Sequence, residues 1–88
     1  MSVHEEITGK VRRQNEQVRE FLEWDERREQ AIEEALAKCR RGEPFSVRRI
    51  NEAAEQINRL ARRGLTPMRT LVTEKMVREY AARLDGNA

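Results

Sequence analysis

The chain is 88 residues long with one cysteine and one histidine, which leaves room for one domain and excludes both an internal disulfide and a zinc set of Cys and His within one chain. Charged residues make up 39% and apolar residues 38%; the first share is high and the second low for a globular domain, so the core must be thin or completed by a second copy. The net charge is +2, but residues 1–39 carry seven basic and ten acidic groups, a net of −3, while residues 40–88 carry eleven and six, a net of +5.

A basic half can be a nucleic-acid face or can pack on the acidic half. The second reading is favoured because the opposite charge is already on hand. No apolar run is long enough to cross a membrane as a helix. The opening Met1-Ser2-Val3-His4-Glu5-Glu6 is acidic where a secretory signal is basic and then apolar. With Cys39 unpaired, the expected compartment is a reducing cytoplasm.

In chain order, Ser2 and Glu5 form a capping-box pattern. No proline and one glycine, Gly9, follow before Arg41; Gly42 and Pro44 then make a stop, with Lys38, Arg40 and Arg41 at the negative end of the dipole. This predicts a helix over residues 2–41, about 57 Å long at 1.5 Å per residue. Its seam steps by four and three through Ile7, Val11, Gln14, Val18, Phe21, Asp25, Arg28, Ile32, Ala35 and Cys39, widened by Leu22 and Leu36. The polar centre at Asp25 and Arg28 admits two accounts: a continuous helix with a polar girdle, or a break near Trp24 with Asp25 capping a second helix. The absence of Gly, Pro and Asn between residues 16 and 41 favours continuity.

Residues 43–46 form a loop ending on Ser46, a good N-cap. A second helix is predicted over 47–63, its stripe formed by Val47, Ile50, Ala54, Ile57 and Ala61 with Ala53 and Leu60, and Gly64 stops it. Pro67 biases residues 65–72 toward extended backbone. Thr73 caps a third helix over 74–84, with Met76, Val77, Tyr80 and Leu84 as the expected buried face, and 85–88 are expected to fray. Asn51 and Asn58 stand seven apart at the edge of the middle stripe, either setting register through a buried hydrogen bond or flanking it on the surface.

The predicted fold is all-α: a single domain over 1–88, with a long N-terminal helix and two shorter helices packed back along it, end to end. A compact chain of this size has a radius of gyration near 12 Å, which a helix of about 57 Å overshoots. A helical bundle completed by homodimerisation is therefore expected; the rival is a compact monomeric four-helix bundle broken near Trp24. The candidate dimer or core seam is Ile7, Val11, Val18, Phe21, Leu22, Ile32 and Leu36.

Chemistry finds little purchase. His4 reads as an exposed first-turn residue and Cys39 as a small core residue. The carboxylates Glu16, Glu20, Glu23, Asp25, Glu26, Glu29, Glu33 and Glu34 interleave with arginines as a solvated face laced with ion pairs, not as an acid–base pair in a cleft. No catalytic, metal or cofactor site is predicted, no cofactor is implied, and the chain is not expected to be an enzyme. The candidate basic surface is Arg48, Arg49, Arg59, Arg62, Arg63, Arg69 and Arg78, with Lys75 and Arg83 nearby. The connection from Gly64 to Thr73 is too long for a helix-turn-helix, and no aromatic interleaving supports single-strand stacking. The leading expectation is a non-enzymatic protein-interaction or adaptor protein with an unidentified protein partner; the alternative is a basic nucleic-acid-binding protein using the arginines after residue 40.

The opening Met1-Ser2-Val3-His4-Glu5, the stretch Pro44-Phe45-Ser46-Val47 leading to Ile50-Asn51 and Ile57-Asn58, and Leu71-Val72-Thr73 with Met76-Val77 carry a resemblance. Over nearly its whole length the chain resembles a family of short cytoplasmic proteins from spore-forming bacilli, a domain of unknown function. The resemblance implies a bacterial, stand-alone helical protein. Its motifs are capping and packing residues, so it implies no activity, cofactor or site.

Overall fold

The computed structural model describes residues 3–64 and 66–86, with side chains at residue 13 and from residue 15 onward within those ranges. The Ser2–Glu5 capping box and the side chains of His4, Ile7 and Val11 lie outside the described residues. Three helices account for the described regular structure: α1, Val3–Arg40; α2, Arg48–Ala61; and α3, Glu74–Gly86. Both α2 and α3 pack on α1.

The first helix passes through Trp24 and Asp25 without a break. Its centre is built from Glu, Arg, Gln and Ala, all good helix formers, so the polar girdle does not interrupt it. It ends in a Schellman turn: the Glu43 amide donates to the Lys38 carbonyl at 2.9 Å and the Gly42 amide to Cys39 at 3.1 Å. Gly42 takes φ +73°, the left-handed region where a side chain would be strained.

The second helix runs antiparallel to α1. It buries Ile50, Ala53, Ala54, Ile57 and Leu60, an i, i+3, i+4, i+7 set on one face. Ile50 and Ile57 are wholly inaccessible, and the small Ala31 and Ala35 side of α1 lets the helices approach closely. The Ser46 hydroxyl accepts from the Arg48 amide at 3.1 Å. The helix stops at Ala61, two residues earlier than its sequence pattern, because the Arg63 and Gly64 amides fold back onto Leu60 and Ala61 around Gly64 at φ +89°.

The return of the chain is set by the two asparagines. Asn58 donates to the Arg69 carbonyl at 3.0 Å and accepts from the Arg69 amide at 2.7 Å. Asn51 does the same with Val72, at 2.8 and 2.7 Å. Both carboxamides thus act as clamps that complete the backbone hydrogen bonding of a segment without regular structure. The spacings agree: seven helical residues rise about 10.5 Å, and three residues of extended chain with threefold repeat rise about 9 Å and present the same side. The clamps are a half-buried register device, acting on an extended backbone instead of a second helix.

As the segment number rises from 69 to 72, the clamping residue falls from 58 to 51, so the segment runs opposite to α2 and in the direction of α1. Arg69 pins it there, donating from Nε to Asp25 Oδ1 at 3.1 Å with its guanidinium 5.6 Å from the centre of the Phe21 ring. The third helix therefore starts beside the middle of α1 and runs parallel to it, capped by the Thr73 hydroxyl accepting from the Met76 amide at 3.2 Å. Asp85, expected to fray, instead holds Arg40 at 2.7 Å and extends α3 to Gly86. The two later helices consequently lie side by side on the C-terminal half of α1, not end to end along it. The chain has a radius of gyration of 17.7 Å and extents of 62 × 23 × 16 Å, far from the compact value near 12 Å.

Candidate interaction surface

Packing α3 beside α1 leaves a groove between them, about 660 Å³ in volume, with Ile32, Leu36, Val72 and Val77 deep in it and Met76 and Tyr80 along one wall. Arg28, Glu29, Glu33, Glu79 and Arg83 rim it. The Arg28 Nε is buried and has no hydrogen-bond partner among the described residues. Such a group costs free energy until an acceptor reaches it. Met76, Tyr80 and Leu84, expected to be buried, are 43%, 48% and 41% exposed. Val77, the fourth residue of that expected face, is buried, and Ala81 is buried with it.

The candidate seam of α1 divides along its length. Ile32 and Leu36 pack against the core of Ala35, Ile50 and Val77, as does Cys39, while Phe21 is half-buried under Arg69. Val18 and Leu22 are exposed, at 42% and 58%, and so are not core within one chain. The reason is geometric: among the described residues every ion pair and hydrogen bond from α2, α3 or the 66–73 segment onto α1 reaches Asp25 or a later residue, and the Phe21 ring lies under Arg69. Ile7 and Val11 belong to α1, but their side chains lie outside the described residues.

The candidate basic surface also divides. Arg69 is bound to Asp25 and Arg49 approaches Glu34 at 3.9 Å, both on the acidic helix. Arg48 and Arg78 pair within their own helices with Glu52 and Glu74, and Arg78 lies 5.5 Å from the centre of the Phe45 ring. Arg59, Arg62 and Arg63 are exposed at the end of α2 and form no ion pair among the described residues. The expected lacing of α1 by its own ion pairs is absent among the described residues; flexible exposed side chains gain too little from such pairs to hold one geometry.

Among the described residues no group of three His, Cys, Asp or Glu side chains stands together, and no helix is long and apolar enough to cross a membrane. What fold and surface define is a small all-α protein built on one long helix, clothed by its own chain from Phe21 onward, with residues 13, 15, 16, 18–20 and 22 exposed ahead of and beside that cover. Residues 1–83 match DUF2533, described as a protein of unknown function, and the chain belongs to that family. A relative is the uncharacterized protein YpbS of Bacillus subtilis (strain 168), 46% identical over 82 residues that cover 93% of this chain and 96% of the relative. No solved structure matches the chain. The resemblance carried by Pro44-Phe45-Ser46-Val47 and the two Ile-Asn pairs is thereby to the family the chain belongs to.

Proposed function

We propose that the chain is a non-enzymatic protein-interaction protein of the bacterial cytoplasm, and that it works as a homodimer. The observation that carries this reading is the exposed stretch of α1 ahead of its covered part: residues 13, 15, 16, 18–20 and 22 are all exposed, Val18 and Leu22 among them. Helices in water draw most of their stability from packing an apolar face, and a solitary helical stretch of this length is marginal. A partner surface supplies what the chain's own helices do not. The non-enzymatic part rests on the sequence, whose single His, single Cys and dispersed carboxylates offer no nucleophile beside a base.

Gel filtration with light scattering tests the reading: a particle of twice 10.4 kDa is expected at micromolar concentration, and a monomer at high concentration overturns it. The turn of Arg59, Arg62 and Arg63 supports a second reading as a phosphate-binding surface. Fluorescence polarisation with duplex DNA at two salt concentrations tests it, and no binding at low salt removes it.

A further inference from the structure

The dimer reading leaves open which surface meets which, and the structure is specific on this point. The geometry points to an antiparallel homodimer in which the stretch of α1 around Val18 and Leu22 from each copy lies in the α1–α3 groove of the other. This inference rests on the homodimer proposed above and adds the interface and its register.

The bare stripe and the groove lie on one face of the same helix. At 100° per residue, Val18, Leu22, Glu29 and Leu36 fall within about 40° of one another, so the side of α1 that carries Val18 and Leu22 is the side that opens into the groove. The exposed pair and the groove pair share a spacing, Val18 to Leu22 and Ile32 to Leu36, four residues each. Reversing one helix on the other sets Val18 against the partner's Leu36 and Leu22 against the partner's Ile32, with the twofold axis near Arg27. The same register is self-consistent in both directions, as an isologous interface requires. The groove's wall on α1, from Arg28 to Leu36, then faces residues 18–26 of the partner along about 12 Å of helix, and this contact occurs twice in the dimer.

Charge agrees with this register. Arg19 and Glu33 are both exposed and form no ion pair among the described residues. They are fourteen residues apart on one helix and cannot meet within a chain, yet the antiparallel register sets Arg19 beside the partner's Glu33, twice per dimer. At the centre, Arg28 comes within a turn of the partner's Asp25 and Glu29. Asp25 and Glu29 against Arg28 and Arg69 leave the central layer balanced.

The test combines three measurements. Light scattering on the unaltered chain reports dimer or monomer. A nitroxide at Arg13→Cys, in a Cys39→Ser background checked by circular dichroism, reports the register: the two labels should be about 40 Å apart by helical rise. Sedimentation equilibrium on charge variants reports the pair. Arg19→Glu and Glu33→Arg should each weaken the dimer about tenfold, and the double variant should return to within about threefold of the original. A dimer with labels closer than about 20 Å, or a double variant no tighter than its parents, overturns the register and leaves the dimer standing. A monomer overturns both.

Discussion

Asn51→Ala removes both halves of one clamp. The lost bonds are the 2.8 Å donation to the Val72 carbonyl and the 2.7 Å acceptance from its amide, each worth about 1 kcal/mol net. Alanine is the better helix former and returns about 0.5 kcal/mol, so the expected loss is about 1.5 kcal/mol. For a chain of this size that lowers the melting midpoint by roughly 6 to 12 °C. Urea unfolding followed by circular dichroism, at one fixed protein concentration because an oligomer's stability depends on it, reads the free energy. Amide exchange at Arg69 and Val72 reads the clamp directly and should accelerate. Asn51→Asp is the sharper control: its carboxylate still accepts from the Val72 amide but sets an oxygen against the Val72 carbonyl, so it should cost at least as much as alanine. Because one segment spans both clamps, Asn51→Ala and Asn58→Ala together should cost less than the sum of the singles. A loss below about 0.3 kcal/mol with unchanged exchange, within the scatter of surface substitutions, would refute the clamp as the device that orients α3.

Other expectations follow from the same geometry. Leu22→Asp should leave the helical signal and unfolding of the single chain nearly unchanged, since the side chain is 58% exposed, yet weaken self-association about a hundredfold through two lost leucines per dimer; a shift under fivefold in sedimentation counts against the bare stripe. Glu29→Gln should tighten the dimer a few-fold in the same measurement, because the register sets Glu29 directly opposite the partner's Asp25, a like-charged contact made twice per dimer; a weaker dimer contradicts the register. Ile57→Ala, at a wholly buried site, should cost about 3 kcal/mol in a urea titration, and a loss under about 1 kcal/mol would mean the α1–α2 contact is not the core. Gly64→Ala meets no neighbouring atom but must adopt φ +89°, so it should cost about 1 kcal/mol by backbone strain alone.

The helices and their stops are legible in the sequence because their causes are local. Gly42 and Gly64, Thr73 ahead of Glu74, and the stripe from Ile50 to Leu60 each act within a turn or two. The girdle at Asp25 and Arg28 is legible as an anomaly but not as a solution, since Asp25 is explained only by Arg69, forty-four residues away. Asn51 and Asn58 stand out by their spacing, yet the backbone they hold has no pattern of its own beyond Pro67. Periodicity assigned Met76, Val77, Tyr80 and Leu84 to the buried face of α3; Val77 lies there, joined by Ala81, while the other three are exposed. An amphipathic helix with apolar residues on two sides does not say which side faces its own chain.

That last ambiguity bears on the whole architecture. A third helix laid end to end beyond α2 would have covered Val18 and Leu22 and closed the molecule on itself. The clamps forbid this by turning the 66–73 segment back along α1, at the cost of leaving Val18 and Leu22 of the long helix exposed. The same turn places Met76 and Tyr80 beside Ile32 and Leu36, and so builds a groove on the face that Val18 and Leu22 present further along. One device therefore produces both the apolar surface without a cover and the cover without an occupant, on one helix, at matched spacing. Release of the clamps should then do more than loosen the segment. In Asn51→Ala with Asn58→Ala, α3 loses its fixed place and the groove its wall, so self-association should fall along with stability, although neither asparagine lines the groove. Sedimentation of that variant under conditions where circular dichroism still reports a folded chain separates the two effects. An unaltered dimer there would mean that α3 takes no part in the interface.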